Sequence, residues 1–218
     1  MPETRTRILI VDDRACTRTR MSFVLAEIGY RVRTVKDGLS AVYEIRREIP
    51  EILLADLNMP GMSGLALLSV IRCRFPAILV IAMSDRFSGN EVPSGIPADA
   101  FYQKGSSTNA LLHILRAPPQ MKRPVPQLCR TVAPILIQRD ASDPSGKGQV
   151  TIACPGCLTA FPQALDGFGS LMLEVDCNHC DNSIQYAVVE PSDRMPVQPI
   201  RREAGATISA NGISTIRY

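Results

Sequence analysis

The sequence has no apolar run approaching the roughly 18 consecutive residues that a membrane-spanning helix needs. Its first residues also lack the apolar stretch of a signal peptide. Neither sign of charge dominates, with 24 Lys and Arg against 21 Asp and Glu, which argues against a general affinity for polyanions. We therefore predict a cytoplasmic protein with no membrane partner. Its 218 residues suffice for one domain and a smaller appendage.

Positive charge is missing from one long segment, residues 151–190, which contains no Lys or Arg and five acidic residues. A segment of this length without a cation is a distinct unit. Four of the seven cysteines lie in it as two close pairs, Cys154 with Cys157 and Cys177 with Cys180. Because the cytoplasm is reducing, we expect thiols or metal ligands here rather than disulfides.

The spacing of these cysteine pairs predicts a zinc site. Each Cys-x-x-Cys pair can turn tightly and direct two thiolates at one tetrahedral ion. Four thiolates leave no open position, so the Zn²⁺ would be structural rather than catalytic. The segment resembles a zinc ribbon, a small all-β unit with strands leading into each pair. The alternatives are four buried thiols, a redox pair, or a site in which His179 replaces one cysteine.

The first half of the chain alternates short apolar strands with amphipathic helices. Strands are predicted at residues 7–11, 31–35, 52–56, 77–83 and 100–103. One of the intervening helices, from Gly64 to Arg72, presents Leu65, Leu67, Leu68 and Ile71. Such alternation predicts an α/β fold with a doubly wound, five-stranded parallel sheet and helices on both faces.

Polar side chains stand at the carboxyl ends of the predicted strands: Asp12, Asp13, Asp56, Ser84 and Lys104. In a doubly wound sheet these ends share one edge, where ligands bind. Three carboxylates suit Mg²⁺, which also binds phosphate oxygens, and a hydroxyl and an ammonium group would contact a phosphoryl group. The pattern predicts an aspartyl-phosphate site, although Asp56 by itself would be interpreted as the cap of a turn.

The same residues carry a family resemblance. Residues 8–115 resemble a response-regulator receiver domain of two-component signalling, through the Asp12-Asp13 pair, Asp56 with Met-Pro-Gly at 59–61, Ser84 and Lys104. The resemblance implies a flavodoxin-like fold and a phosphoryl group received from a histidine kinase. Asp56 would be the phosphoacceptor, Ser84 would hydrogen-bond the phosphoryl group, and Lys104 would pair with it. The implied Mg²⁺ ligands are Asp12 through water, Asp13, Asp56 and the backbone carbonyl of Asn58.

Phe101 would be the aromatic residue whose side-chain conformation reports phosphorylation, and the alternative is a plain core aromatic. Other positions depart from the family pattern. Asp85 replaces a small residue, so a fourth carboxylate either repels the phosphoryl group or acts as a solvated helix cap. Gly105 stands where a proline is usual. The Gly and Pro residues from Phe87 to Pro97 predict a short, irregular or absent helix, which places ordinary dimer-based output in doubt.

Composition divides the chain into four predicted segments: a receiver domain at 1–116, a Pro-rich linker at 117–149, a zinc ribbon at 150–190 and a mostly disordered tail at 191–218. The linker offers one candidate strand at 134–138, and the tail contains Asn211-Gly212, a hairpin-turn signal. The linker is expected to act as a semi-rigid spacer that separates two hydrophobic cores.

The leading hypothesis is phosphorelay signalling, in which the ribbon passes the state of Asp56 to a protein partner. The alternative is a DNA- or RNA-binding regulator that acts through the ribbon or the basic linker. The acidic ribbon argues against it, because four thiolates on zinc add negative charge and would repel a phosphate backbone. An enzyme ranks last, since a closed four-thiolate site offers no open metal position.

Overall fold

The computed structural model describes residues 6–87, 96–116, 135–138, 148–165 and 173–189. The strands of its first half are β1 (Arg7–Val11), β2 (Arg31–Val35), β3 (Ile52–Asp56), β4 (Leu79–Ser84) and β5 (Ala100–Gln103). The helices are α1 (Ala15–Glu27), α2 (Gly38–Arg47), α3 (Gly64–Arg74) and α4 (Thr108–Arg116). The strands form one parallel sheet in the order β2-β1-β3-β4-β5, which confirms the predicted doubly wound fold.

Local chemistry accounts for several helix ends. Asp37 accepts a hydrogen bond from the backbone N–H of Ser40 at 2.7 Å, which caps the start of α2. Ser63 caps α3 in the same way, accepting from the N–H of Ala66 at 3.3 Å. Gly29 follows α1 with a φ of +104°, a left-handed conformation that stops a helix and favours glycine.

The sheet separates two hydrophobic layers, because successive strand residues point to opposite faces. Ile8 and Leu54 pack with α1 and α4, whereas Leu9 and Leu53 pack with α2 and α3. All five residues of β3 are buried. Asp56 therefore stands at the end of a strand that is covered on both faces.

The C-terminal part is all-β, as predicted. Its strands are β6 (Ile135–Gln138), β7 (Gln149–Ala153), β8 (Ala160–Ala164), β9 (Leu173–Asp176) and β10 (Ser183–Val189). β7 and β8 form an antiparallel pair, while β10 pairs antiparallel with β9 and parallel with β6. The first cysteine pair lies between β7 and β8, and the second lies between β9 and β10. β6 occupies the place of the candidate strand at 134–138.

The two parts share one hydrophobic core, which corrects the expectation that the linker separates two cores. The backbone N–H of Leu136 in β6 donates to Ser69 Oγ of α3 at 3.2 Å. Ile135 and Ile137 are 2% and 3% exposed and belong to the same apolar cluster as Leu65. The expectation of a separating linker was wrong because a proline-rich composition does not show whether a later strand packs against the receiver domain. Here β6 packs against α3. The four segment limits stay predictions.

Some predictions lie outside the described residues. These are most of the helix-breaking segment, at 88–95, the linker before β6, and the tail with its Asn211-Gly212 turn. The residues that flank the helix-breaking segment, 85–87 and 96–99, are not helical. Among the helices that the structure describes, none is long and apolar enough to cross a membrane.

Candidate functional site

The polar residues predicted at the strand ends meet at the carboxyl edge of the parallel sheet. Asp12 directly follows β1, Asp56 ends β3, Ser84 ends β4 and Lys104 directly follows β5. Asp12 and Asp56 are 0% and 3% exposed, and Ser84 is also buried, whereas Asp13 is exposed. The structure thus brings these residues together, and their chemical roles stay predictions.

Lys104 joins the two buried carboxylates. Its Nζ lies 2.6 Å from Asp12 Oδ2 and 2.5 Å from Asp56 Oδ2, and its side chain is 6% exposed. The backbone N–H of Lys104 donates to the carbonyl of Ser84 at 2.8 Å, which holds the loop after β5 against the end of β4. One ammonium group therefore compensates two buried negative charges, which leaves the site short of positive charge.

The pKa of Asp56 reflects this incomplete compensation. Burial raises the pKa of Asp56 above its usual value, and the Asp12 carboxylate adds to the increase. Lys104 and the backbone N–H of Asn58, which donates to Asp56 Oδ1 at 3.1 Å, lower it by less than burial and the Asp12 carboxylate together raise it. A further cation at this edge would stabilise the ionised form of Asp56.

The three carboxylates form a compact set of oxygen donors. Asp12, Asp13 and Asp56 each offer a carboxylate oxygen within 4.8 Å of the others. Asp12 Oδ1 accepts a hydrogen bond from the backbone N–H of Arg14 at 2.8 Å. Asp12 Oδ2 lies 2.6 Å from the Lys104 ammonium, and no other described donor uses the remaining lone pair of this oxygen. Hard oxygen atoms with unused lone pairs are the donor set that Mg²⁺ prefers.

Ser84 and Asn58 form the neutral side of the site. The hydroxyl of Ser84 accepts hydrogen bonds from Asn58 Nδ2 at 3.2 Å and from the backbone N–H of Arg86 at 3.1 Å. Because both contacts use the oxygen as acceptor, the hydroxyl proton is left to donate to an incoming oxygen atom.

Phe101 lies behind the site in the hydrophobic core. It is 1% exposed, and its ring meets the Phe87 ring edge-on, with the centroids 6.1 Å apart and an interplanar angle of 87°. Both the switch role and the core-aromatic interpretation are compatible with this position. The switch role stays a prediction.

The family model described as "Response regulator receiver domain" matches residues 8–116, half of the chain. The chain belongs to the response regulator receiver family. The parallel sheet and its acidic edge are therefore a receiver domain, and the all-β part is an addition beyond the matched residues.

Curated relatives share the receiver domain and differ elsewhere. The chain is 36% identical to a protein-glutamate methylesterase/protein-glutamine glutaminase of Anaeromyxobacter dehalogenans over 86 residues, which cover 39% of this chain and 25% of the relative. It is 34% identical to the sensory transduction protein RegX3 of Mycolicibacterium smegmatis over 117 residues, covering 51% and 50% respectively. The chain thus spans half the length of these relatives or less.

Solved structures resemble the same half of the chain. Chemotaxis response regulator CheY4 of Vibrio cholerae is 24% identical, with a TM-score of 0.48, and the match covers 52% of this chain and 98% of that one. Response regulator TrrA of Thermotoga maritima, solved with Mg²⁺ and BeF, is 26% identical, with a TM-score of 0.47, covering 51% and 96%.

Sequence reasoning missed Arg14, which contacts the mouth of the receiver site. Arg14 Nη2 lies 3.5 Å from Asp85 Oδ2, and both side chains are about half exposed, at 47% and 54%. The carboxylate of Asp85 therefore has a counter-ion within the described residues, and its effect on a phosphoryl group stays a prediction. An arginine directly after the Asp12-Asp13 pair was the signal in the sequence. Beside these residues, Arg14, Lys104, Tyr102 and α1 line a groove of about 310 Å³.

The four paired cysteines converge at the ends of their hairpins. The Sγ atoms of Cys154 and Cys180 are 3.7 Å apart, as are those of Cys157 and Cys177, and all four lie within 4.8 Å of one another. This arrangement is compatible with a zinc ribbon. His179 is exposed and stands outside the cluster, which favours the four-cysteine ligand set over one that includes His179.

The surroundings of the cysteine thiols shift their pKa values in different directions. Burial raises the pKa of Cys154 to about 12. Burial by itself would raise the pKa of Cys157 as well. Hydrogen bonding with Thr159 and contacts with Cys177 and Cys180 outweigh burial and lower the pKa of Cys157 to about 6. The amide of Asn182 points at Cys154 Sγ at 3.7 Å, and the backbone N–H of His179 donates to Cys177 Sγ at 3.4 Å. N–H groups directed at sulfur favour thiolates.

Proposed function

We propose that this receiver domain accepts a phosphoryl group on Asp56 from a phosphohistidine of a histidine kinase. The bond between phosphorus and the imidazole nitrogen breaks, the nitrogen keeps the electron pair, and a bond forms between phosphorus and a carboxylate oxygen of Asp56. The observation that carries the proposal is the contact of the Lys104 ammonium with both buried carboxylates. Lys104 is already placed to neutralise an added phosphoryl oxygen, and Ser84 has a proton to donate.

The acidic cluster fits Mg²⁺, because three carboxylates lie close together and Asp12 Oδ2 has an unused acceptor position. Asp13, Asp56 and the Asn58 carbonyl would hold the ion directly, and Asp12 would hold it through water. The bound ion would supply the positive charge that lets a polyanionic donor approach three carboxylates. The chain's own residues orient the acceptor: Asn58 fixes one Asp56 oxygen and Lys104 fixes the other.

Labelling with a small phosphodonor tests the proposal. The full chain, incubated with acetyl phosphate and Mg²⁺, should gain one phosphoryl mass in intact mass spectrometry. Asp56→Asn should abolish the gain, whereas Asp37→Asn should not, because Asn also caps a helix and Asp37 lies at the start of α2. Equal labelling of the Asp56→Asn variant would contradict the assignment.

The four cysteines are proposed to bind one structural Zn²⁺ per chain, and the ribbon is proposed to contact a protein partner rather than nucleic acid. Convergence of four Sγ atoms within 4.8 Å supports the metal site. Exposed Glu174, Asp176 and Asp181, with no Lys or Arg in residues 151–190, support the choice of partner. A cytoplasmic location and the lack of enzymatic activity stay predictions. Metal analysis of the purified chain tests the zinc site.

A further inference from the structure

The helix α3 is covered on both sides. Every residue from Gly64 to Ile71 is buried, although a helix on the face of an open sheet normally leaves one side to solvent. β6 and β7 contact α3 in addition to the strands of the parallel sheet. The hydrogen bond from the Leu136 N–H to Ser69 Oγ, at 3.2 Å, fixes β6 across the helix. We call β6 and β7 together the α3 cover.

The α3 cover is continuous with the cysteine cluster. Cys154 directly follows β7, is 0% exposed and belongs to the same apolar cluster as the buried leucines of α3. Cys157, Cys177 and Cys180 pack against that cluster. β6 is held in turn by β10, which begins three residues after Cys180. Both strands of the cover are therefore joined to the proposed zinc site.

The start of α3 contacts the backbone next to the proposed phosphoacceptor, Asp56. The backbone N–H of Gly64 donates to the carbonyl of Leu57 at 3.2 Å, and a Cβ on Gly64 would lie 2.0 Å from the Asp56 carbonyl oxygen. The start of α3 thus rests directly on the backbone of Asp56.

We infer that zinc at the four cysteines holds the α3 cover in place, so that the metal stabilises the receiver domain as well as the ribbon. The inference rests on the proposed zinc binding. Without metal, four clustered thiols replace a tetrahedral cross-link, so the two hairpins lose the bonds that join them and hold β6 and β7 on α3 less firmly. Loss of the cover then exposes the outer face of α3 to water.

Hydrogen exchange of the full chain tests the inference, with and without a zinc-selective chelator. Removal of zinc should accelerate amide exchange in residues 64–74 by at least about tenfold, with a smaller change in α1, which lies on the opposite face of the sheet. Added Zn²⁺ should restore protection. Cys177→Ser should reproduce the effect of chelation, and Cys16→Ser, at an exposed cysteine outside the cluster, should not.

The outcomes separate the two proposals. If the purified chain contains no zinc and binds none, the metal site is wrong and the inference fails with it. If zinc binds and chelation changes exchange in α3 by less than about twofold, the inference alone is overturned.

Ser69→Ala removes the acceptor of the Leu136 N–H without touching the cysteines. The variant should keep one Zn²⁺ per chain and accelerate exchange in α3, with Ser22→Ala in α1 as the control.

Discussion

At the scale of single residues, Lys104 sets the charge balance of the site. The sequence predicts its place at the sheet edge, because strand order alone brings the ends of β1, β3 and β5 together. It does not predict that one ammonium contacts Asp12 and Asp56 at once, since that depends on side-chain conformations across three loops. The Arg14–Asp85 pair escaped prediction for the same reason.

Lys104→Ala should weaken phosphorylation of Asp56 or its consequence while leaving Mg²⁺ affinity within a few-fold of the wild type. The physical reason is that a cation cannot ligate a cation, whereas it can neutralise a phosphoryl oxygen. Mg²⁺ titration and acetyl phosphate labelling, run in parallel, measure the two effects. Lys36→Ala, at an exposed position in the same domain, is the control. A large loss of Mg²⁺ affinity would show that Lys104 acts in another way.

Asp56→Asn should stabilise the fold at neutral pH. The pKa of Asp56 is raised in the folded protein, chiefly by burial, so the folded state binds the proton more tightly than the unfolded chain. Its contribution to stability is present below the ordinary carboxyl pKa and is lost as the pH rises through the raised value. An asparagine at position 56 does not ionise, so the variant does not lose stability in this pH range. Urea unfolding at several pH values without Mg²⁺ should show the gain growing toward neutral pH; a constant difference would contradict this account.

At the scale of elements, α3 shows both the reach and the limit of prediction. The sequence predicts this helix correctly, with Leu65, Leu67, Leu68 and Ile71 as its apolar face. The run from Leu65 to Ile71 is in fact apolar around the whole circumference apart from Ser69, a pattern typical of a helix covered on every side. The identity of the cover could not be predicted, because Ser69 meets Leu136 across 67 residues of sequence.

The glycine at the start of α3 allows a graded test. Gly64→Ala places a Cβ 2.0 Å from the Asp56 carbonyl oxygen, which is a backbone atom and cannot move aside as a flexible side chain can. The variant should therefore lose about 3 kcal/mol or more of unfolding free energy. Gly61→Ala meets open space and suffers only from a φ of +74°, which costs about 1 kcal/mol. Urea unfolding should rank Gly64→Ala as the more damaging change. The reverse order would mean that α3 can shift away from β3.

At the scale of the whole molecule, the chain has two hydrophobic layers of unequal extent. The layer with α1 and α4 belongs to the receiver domain, whereas the layer with α2 and α3 runs on into the all-β part. Composition predicted the acidic character of that part and its cysteine cluster. It could not predict the continuity of the core, because a proline-rich segment has the same composition whether or not the strands that follow it dock on a neighbour.

Charge at this scale predicts weak binding to duplex DNA. Residues 151–190 contain no Lys or Arg, and four thiolates on zinc would add further negative charge. The zinc-loaded chain should therefore show no appreciable binding at physiological salt in a fluorescence titration. Tight binding that weakens steeply with salt and disappears in the Lys122→Ala/Arg123→Ala variant would favour the nucleic-acid alternative.

The parallel pairing of β6 with β10 has a mechanical consequence. Residue Tyr186 pairs with Ile135 and Val189 with Gln138, so the two strands run in the same direction. Tension applied between the start of β6 and the end of β10 pulls these strands lengthwise past each other. Their hydrogen bonds are then loaded in shear and must break together instead of peeling apart one by one. A pull on the polypeptide beyond β10 would therefore load in shear the strand that lies on α3.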